Sequence, residues 1–433
     1  MGLTAHQEES LKAGLSLLQE GDRLLISGSA GVGKTYMVNE LIKRLMSRIH
    51  GKKVFCSAPT NKAVAVLKGK VDKDKRIVFE TVHKALKIGR NVNNKTGQVT
   101  FKPWYSDKYP PLKGVGLFII DEASMLNSEL LDYVEEHADL QNCKVIFIGD
   151  HKQLNPVGEE VSPVFTEDYP EVELTEIIRQ GEGSPIITLS RELELAKTKE
   201  NNKLENGEGY IFSDSLPQVI ETLAAVNGTD ELKYLAWTNR EINKINSLVR
   251  QRLYGEKPKK VELGETLIFN EPYNDEFYTN QEILVEDVIV KTSVFRYPCS
   301  KAKGFNRMPD TKPISFKVYS VNPVFCIDAQ EKRDNIVVIH EDSEEDFKKL
   351  LKNLRSMCTA AIIDWKDYYS FNEGFANITY NHAITVHKSQ GSTYKQAIVN
   401  MKNIGLNKDK EEKEKLLYTA VTRASKLLIL YKA

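Results

Sequence analysis

The chain has 433 residues, is 41% hydrophobic and 28% charged, and carries 60 basic against 60 acidic side chains. That length exceeds a single core and predicts two or more domains, while the balanced charge confines any basic groove to a local patch. No run is apolar enough to span a membrane, and Met1 to Gln7 lacks the basic-then-apolar pattern of a leader. The five scattered cysteines include no C-x-x-C pair, which points to a reduced, cytoplasmic setting without disulfides or structural zinc.

Thr4 stands where it can cap a helix from Glu8 to Leu18, and the Gln7 amide could pair with both edges of an adenine. The apolar run Arg23–Ser27 then enters Gly28-Ser29-Ala30-Gly31-Val32-Gly33-Lys34-Thr35. A helical pattern follows through Met37, Leu41, Ile42 and Leu45. This is G-x-x-x-x-G-K-T between a strand and a helix, the context of a phosphate loop. The glycines allow backbone N–H groups to turn inward, Lys34 would reach the β/γ-phosphates, and the Thr35 hydroxyl would bind Mg²⁺.

A buried strand from Val54 runs into Pro59, Thr60, Asn61 and Lys62, at a strand's carboxyl end where open α/β sheets bind ligands. A capped helix start is the other reading of the same residues. Thr81-Val82-His83-Lys84 follows, with Lys87 just beyond. Ile88–Val92 and Gln98–Lys102, joined by Asn93-Asn94-Lys95-Thr96-Gly97, read as a β-hairpin. Taken alone, the hairpin reads as a surface excursion; with Phe101 past its turn it could also be a wedge that stacks on bases. Val115–Ile120 ends in Asp121-Glu122. These adjacent carboxylates call for a cation, making Asp121 the Mg²⁺ partner and Glu122 the group that orients or deprotonates water.

Lys144–Ile148 ends in Gly149-Asp150-His151-Lys152-Gln153-Leu154-Asn155-Pro156-Val157, where Gln153 could contact γ-phosphate and water. Arg179 is either a surface ion-pair residue or a charge clamp on the γ-phosphate. Ser184-Pro185 opens a helix expected to reach about Lys199. The strand Leu232–Trp237 and the helix Ile242–Leu253, stopped by Gly255, form a second α/β unit. From about 256 the pattern becomes short alternating strands, interrupted by a helix capped by Ser343 and followed by the aromatic group Trp365, Tyr368, Tyr369, Phe371 and Phe375. A local core accounts for that group better than base stacking. The α/β texture resumes at Thr385-Val386-His387-Lys388-Ser389-Gln390-Gly391, a polar turn suited to sugar-phosphate contacts. It ends with Thr419-Ala420-Val421-Thr422-Arg423 and a last strand.

In order, these motifs resemble those of superfamily-one helicases over nearly the whole chain. The Gly149–Val157 and His387–Gly391 segments resemble the RecD-like, 5′-to-3′ branch; the Rep and UvrD branch carries an aromatic where this chain has Leu154. The length, the compact hairpin and the single β-rich insertion look most like the Dda-type bacteriophage enzymes. The resemblance implies an α/β chain of two RecA-like P-loop NTPase lobes, with a β-hairpin insertion in the first and a β-rich SH3-like insertion in the second. The first lobe would be 1–84 and 114–180, the hairpin or pin 85–113, the second lobe 181–255 and 378–433, and the insertion 256–377, bearing a tower that contacts the pin.

The same resemblance implies ATP and Mg²⁺ as cofactors. Gln7, Gly28 to Thr35, Gln390 and Gly391 would bind the nucleotide, and Thr35 and Asp121 the metal. Lys34, Asp121, Glu122, Gln153, Arg179 and Arg423 would carry catalysis. Pro59, Thr60, Asn61, Thr81, His83, Lys87, Phe101, Thr385, His387 and Ser389 match positions that contact nucleic acid. The implied activity is ATP-dependent unwinding, 5′ to 3′, by a monomer acting on single-stranded and forked DNA in replication or recombination, with a single-strand-binding protein or other replication proteins as candidate partners. Two alternatives stay open: a nucleotide-switched single-strand binder, and a protein-displacing translocase that unwinds weakly.

Overall fold

The computed structural model describes residues 3–49, 51–106, 108–176, 184–193, 200–204, 207–226, 231–274, 277–301, 308–327, 330–332 and 334–432. Its first sheet is parallel throughout, in the order Ile77–Thr81, Lys53–Ala58, Val115–Ile120, Lys144–Gly149, Arg23–Gly28, Glu171–Leu174. Val115–Ile120 is buried at every position, as a parallel strand covered on both faces must be. Helices Ala5–Glu20 and Lys34–Met46 cover one face with Leu11, Leu15, Met37 and Leu41. Helix Ser128–Gln141 covers the other with Leu130, Leu131 and Val134.

The second sheet has the parallel order Ala383–Thr385, Leu232–Ala236, Tyr394–Asn400, Ala424–Tyr431, Gly209–Ser213, with Asn202–Lys203 antiparallel at its edge. Its strands come from two chain segments separated by the residues after Tyr254. Helix Asn239–Tyr254 lies against it through Ile242, Ile245 and Val249 and stops at Gly255, whose φ is 93°. The helix that opens at Pro185 ends at Arg191, where Glu192 leaves helical geometry at φ −113°, ψ 66°, short of the expected Lys199; residues 194–199 lie outside the described residues.

Between the two segments lies an antiparallel sheet. Glu282–Pro298 and Thr311–Ile327 form a hairpin of two 17-residue strands, flanked by Thr266–Phe269, Ile378–Tyr380 and Ile336–Ile339. Helices Glu341–Thr359 and Trp365–Asn372 pack on the long hairpin through Phe295, Phe316, Phe347, Phe371 and Phe375. Ser343 does not cap the first of these helices. His340 does, its Nδ1 accepting from Asp342 N at 3.1 Å, while Ser343 Oγ accepts from Lys317 N at 2.9 Å and ties the helix to the sheet. The imidazole takes the capping role because the helix starts three residues earlier than the hydroxyl suggested.

Two buried charge clusters join this sheet to its neighbours. Arg250 forms a bidentate pair with Glu265 at 2.5 and 3.0 Å and stacks on Tyr380 at 3.8 Å. Glu282 meets Lys62 of the first sheet's unit at 2.9 Å, Lys233 of the second at 3.7 Å and Asn381 Nδ2 at 2.7 Å. Although burial opposes ionisation, the two ammonium groups hold the Glu282 carboxyl down at about 2.

The small hairpin Ile88–Val92 and Val99–Pro103 stands on the first unit. Asn93 Oδ1 closes its turn by accepting from Lys95 N and Thr96 N at 2.9 and 3.2 Å, and Gly97 supplies the left-handed φ of 72°. The hairpin is not a free excursion. Tyr369 donates to Gly97 O at 3.1 Å, Arg90 pairs with Glu373 and lies 4.7 Å over the Tyr369 ring, and Trp365 packs beneath Gly97. No local sequence pattern could reveal this docking, because the contacting residues are some 270 positions apart; only the family resemblance implied a contact between insertion and hairpin.

Candidate nucleotide and nucleic-acid site

The phosphate loop lies at the carboxyl end of strand Arg23–Gly28. Gly28 passes so close to its neighbour that a Cβ would sit 2.6 Å from Leu174 O, and Gly33 caps helix Lys34–Met46 with φ 80°. Only glycine fits both places. Lys34 Nζ donates to Gly28 O and Ser29 O at 2.5 and 3.0 Å, bracing the loop from inside.

Around the loop lies a cavity of 440 Å³ lined by Ala30 to Tyr36, Asp121, Glu122 and Gln153 from one side and Gly391, Ser392, Thr393, Thr422 and Arg423 from the other. Both sheets therefore contribute to a single pocket. Asp121 and Glu122 form its acidic floor. Glu122 adopts φ 54°, ψ 40°, a strained conformation for a non-glycine residue that the Asp121 Oδ1 contact to Glu122 N, at 2.9 Å, helps to hold. Burial raises the proton affinity of both carboxyls. For Glu122 the neighbouring Asp121 raises it further, and Arg423 and Lys34 oppose the rise. Two adjacent buried carboxylates beside a Lys, a Thr hydroxyl and inward-turned amides form a donor set that fits a Mg²⁺–triphosphate.

Arg423, 5% exposed, donates to Thr419 O and Ser392 O at 3.0 Å and to Gln153 Oε1 at 3.4 Å. The last bond crosses between the two units. Three more crossings converge on the same loop: Gln390 Nε2 to Leu154 O at 3.3 Å, Lys415 Nζ to Asn155 Oδ1 at 3.0 Å and Tyr418 Oη to Asp150 Oδ2 at 2.7 Å.

Several expected placements need correction. Gln390 does not reach the nucleotide cavity; its amide bridges to Leu154, and only Gly391 of that pair lines the pocket. Gly28 and Ser29 serve through their carbonyls on Lys34 rather than as lining. Gln7 borders the cavity, but its amide is already engaged: Oε1 accepts from Thr4 N at 3.3 Å and Nε2 donates to Val32 O at 3.4 Å. An adenine would have to exchange with these bonds. Ser389 is fully buried and donates inward to Val386 O at 2.7 Å, so its side chain cannot meet a strand as placed. Thr385, 7% exposed, accepts from Lys388 N and likewise serves the local turn. Arg179 lies outside the described residues.

A second cavity, of 280 Å³, lies between the two units beside the first. It is lined by Thr60, Lys62, Asn155, Pro156, Val157, Asn280, His387 and Lys388, among others. Thr60 and Thr81 cap helices Asn61–Lys68 and Val82–Ala85 through Ala63 N and Lys84 N, which leaves each hydroxyl its proton as a donor. Pro59 and Asn61 flank Thr60 at the strand end, Asn61 exposed. Burial lowers the proton affinity of His83 and His387, favouring neutral rings. His83 packs edge-on against Phe101 at 5.5 Å, and Phe101 is 54% exposed. Lys87, at φ 52°, donates to Tyr109 O at 2.9 Å.

Sequence reasoning missed Tyr36, Lys70 and Thr393 in the first cavity and Asn280 in the second. Tyr36 directly follows the phosphate-loop threonine and could have been suspected. Asn280 arrives from the distant insertion with no local signal.

A phosphate-loop pocket split between two α/β sheets, with an arginine delivered across the gap, defines a two-lobed P-loop ATPase. The chain belongs to the superfamily-one helicases. An AAA domain model matches residues 2–213, and a UvrD-like helicase C-terminal domain model matches residues 380–431. The chain is 26% identical over 448 residues to the ATP-dependent DNA helicase dda of enterobacteria phage T4, covering 97% of each chain. An uncharacterized protein of Acanthamoeba polyphaga mimivirus is also 26% identical, over 469 residues and 93% of each. Among solved structures, Pif1 helicase from Candida albicans superposes with a TM-score of 0.52 at 18% identity, covering 100% of this chain and 95% of that one. Bacteroides Pif1 bound to single-stranded DNA gives 0.51 at 18%, covering 99% and 92%.

Proposed function

We propose that this helicase uses ATP to move 5′ to 3′ along single-stranded DNA and to separate the strands of a fork. The observation that carries the reading is the sharing of both cavities by the same two lobes. Closing the gap to bring Arg423 onto a γ-phosphate also changes the groove between Thr60 and His387. Lys34 and Arg423 would stabilise charge on the transferring phosphoryl group, and Glu122 would take the proton of the attacking water. Mg²⁺ held by Thr35 and Asp121 would neutralise the phosphate oxygens. The groove offers hydroxyls, an amide and cations to sugar-phosphate, which is the same at every step and suits movement without sequence readout.

In this reading Pro59, Thr60, Asn61, Thr81, Lys87 and His387 contact the strand. The hairpin 85–113 acts as the pin with His83 and Phe101 at its working edge, and the long β-hairpin with its helices is the tower that buttresses it. Resemblance to Dda-type enzymes supports the polarity and the SH3-like assignment of residues 256–377. The test is unwinding of forks bearing either a 5′ or a 3′ tail, with and without ATP. Strand separation confined to the 5′-tailed fork and dependent on ATP supports the proposal; separation from the 3′ tail refutes the polarity. ATP hydrolysis without separation of either fork leaves the protein-displacing translocase.

A further inference from the structure

Tyr418 lies on helix Lys410–Val421 of the second lobe and is 3% exposed. Its hydroxyl accepts from Ala30 N of the phosphate loop at 3.0 Å and donates to Asp150 Oδ2 at 2.7 Å. A single phenol thus touches two different segments of the first lobe. Asp150 is 1% exposed, and its other oxygen accepts from Lys152 N at 3.1 Å, which orients the carboxylate. Burial next to Asp150 pushes the phenol's ionisation upward, so the proton stays in place to be donated.

The same helix continues directly into Arg423. Thr422 Oγ1 donates to Tyr418 O at 3.0 Å, and Arg423 Nε donates to Thr419 O at 3.0 Å. The guanidinium is therefore referenced to the backbone of the turn that bears Tyr418. We propose that Tyr418 is a positioning residue for hydrolysis: its hydroxyl pins the Arg423-bearing helix to the phosphate loop and to Asp150, setting where the arginine stands relative to the γ-phosphate. The inference rests on the reading of the pocket as an ATPase site. It adds an interlobe contact that does not itself touch the reacting atoms.

Arginine stabilisation acts mainly on the transition state, so loosening the pin should lower kcat and leave the KM for ATP nearly unchanged. Tyr418→Phe removes only the hydroxyl and keeps the ring. Its single-strand-stimulated kcat should fall about tenfold, the scale of one charge-assisted hydrogen bond, with KM for ATP changed less than about twofold. Asp150→Asn retains the oxygen facing Lys152 N but turns an amide N–H donor toward the phenol, which then accepts there and loses the charge-assisted bond it donates to a carboxylate. It should also lower kcat, by more than about twofold. Because Tyr418→Phe already removes the bond that Asp150→Asn alters, the double variant should be no slower than Tyr418→Phe alone, rather than about a hundredfold down.

A kcat for Tyr418→Phe within about twofold of the parent overturns the proposal, as does a loss carried by KM or a multiplicative double variant. If Tyr418→Phe fails to fold, by thermal melt, Asp150→Asn decides by the same criteria. A parent chain that hydrolyses no ATP sinks the ATPase reading itself, which distinguishes that failure from this one.

Discussion

Gly97→Ala probes the hairpin's docking with one added methyl. At φ 72° an alanine is strained by about 1 kcal/mol, and its Cβ would lie 2.6 Å from Trp365 Cε2 and Cε3, so the tip must lift or the indole must move. The contact at risk comprises the Tyr369–Gly97 hydrogen bond, the Arg90–Tyr369 stack and the Arg90–Glu373 pair. Their typical values of ~1, ~0.5–1 and ~0–1 kcal/mol sum to about 1.5–3 kcal/mol. A gap in the middle of that range keeps the tip docked about 98% of the time, and losing the whole of it leaves the tip docked about half the time. If a buttressed hairpin splits the duplex, fork unwinding should drop about two- to fivefold while single-strand-stimulated ATPase stays within about 1.5-fold. Paired assays on the same preparation, with indole fluorescence reporting undocking, decide the matter. Unchanged unwinding from an undocked tip, or an ATPase that falls in parallel, would refute the buttress.

The remaining predictions address the pocket and the core. Lys34→Ala should cut ATPase more than about a hundredfold while single-strand binding, followed by fluorescence anisotropy, persists; near-normal turnover would remove the phosphate-loop assignment. Glu122→Gln should keep nucleotide affinity and slow hydrolysis by about 10²–10⁴, whereas loss of nucleotide binding in a titration would mean a structural role. Among the described residues neither ring nitrogen of His382 has a hydrogen-bond partner, and burial together with Lys233 and Arg250 lowers its pKa from 6.5 to about 4. Between those values the unfolded chain binds the extra proton, so stability falls as pH drops through 6.5 and levels off below about 4. From pH 7.5 to 5 that contribution is about 2 kcal/mol. Urea unfolding at both pH values should show His382→Gln losing correspondingly less than the parent; an equal loss would place the acid sensitivity elsewhere.

What the sequence made legible was local and periodic. The phosphate loop, the acidic strand end at Asp121 and Glu122, and the alternation of strand and helix around them each follow from a few neighbouring residues, and each lies where expected. Arg423 could be placed in the pocket only through resemblance, since nothing near it in the chain points to a phosphate 390 positions away. Side chains on turns were the least legible. A Ser or Thr in a polar turn can face a ligand or satisfy its own backbone, and Ser389 and Thr385 do the second. Gln390 reads as a ligand-binding amide in sequence, yet its reach across the gap to Leu154 depends on lobe geometry that no local pattern encodes.

Those cross-lobe bonds suggest how nucleotide and strand are linked without a long relay. Asp150, Gln153, Leu154 and Asn155 each bond to the second lobe. Within the same loop Gln153 lines the nucleotide cavity, and Asn155, Pro156 and Val157 line the groove. A single residue, Leu154, thus separates a group that lines the nucleotide cavity from one that lines the groove. Any movement of the second lobe that shifts Arg423 against Gln153 must also carry Gln390 and Lys415, which hold the groove side of the loop. A rigid-body displacement between lobes is sufficient for the coupling, and no chain of repacked core residues is required. On that basis a substitution in the sheet cores should change stability without changing the ratio of strand movement to ATP consumed. Lys415→Ala, by removing the bond that ties Asn155 to the second lobe, should change that ratio while leaving stability nearly intact. A single-strand translocation assay run beside phosphate release measures it, and a ratio unmoved by Lys415→Ala would mean that the loop does not carry the coupling.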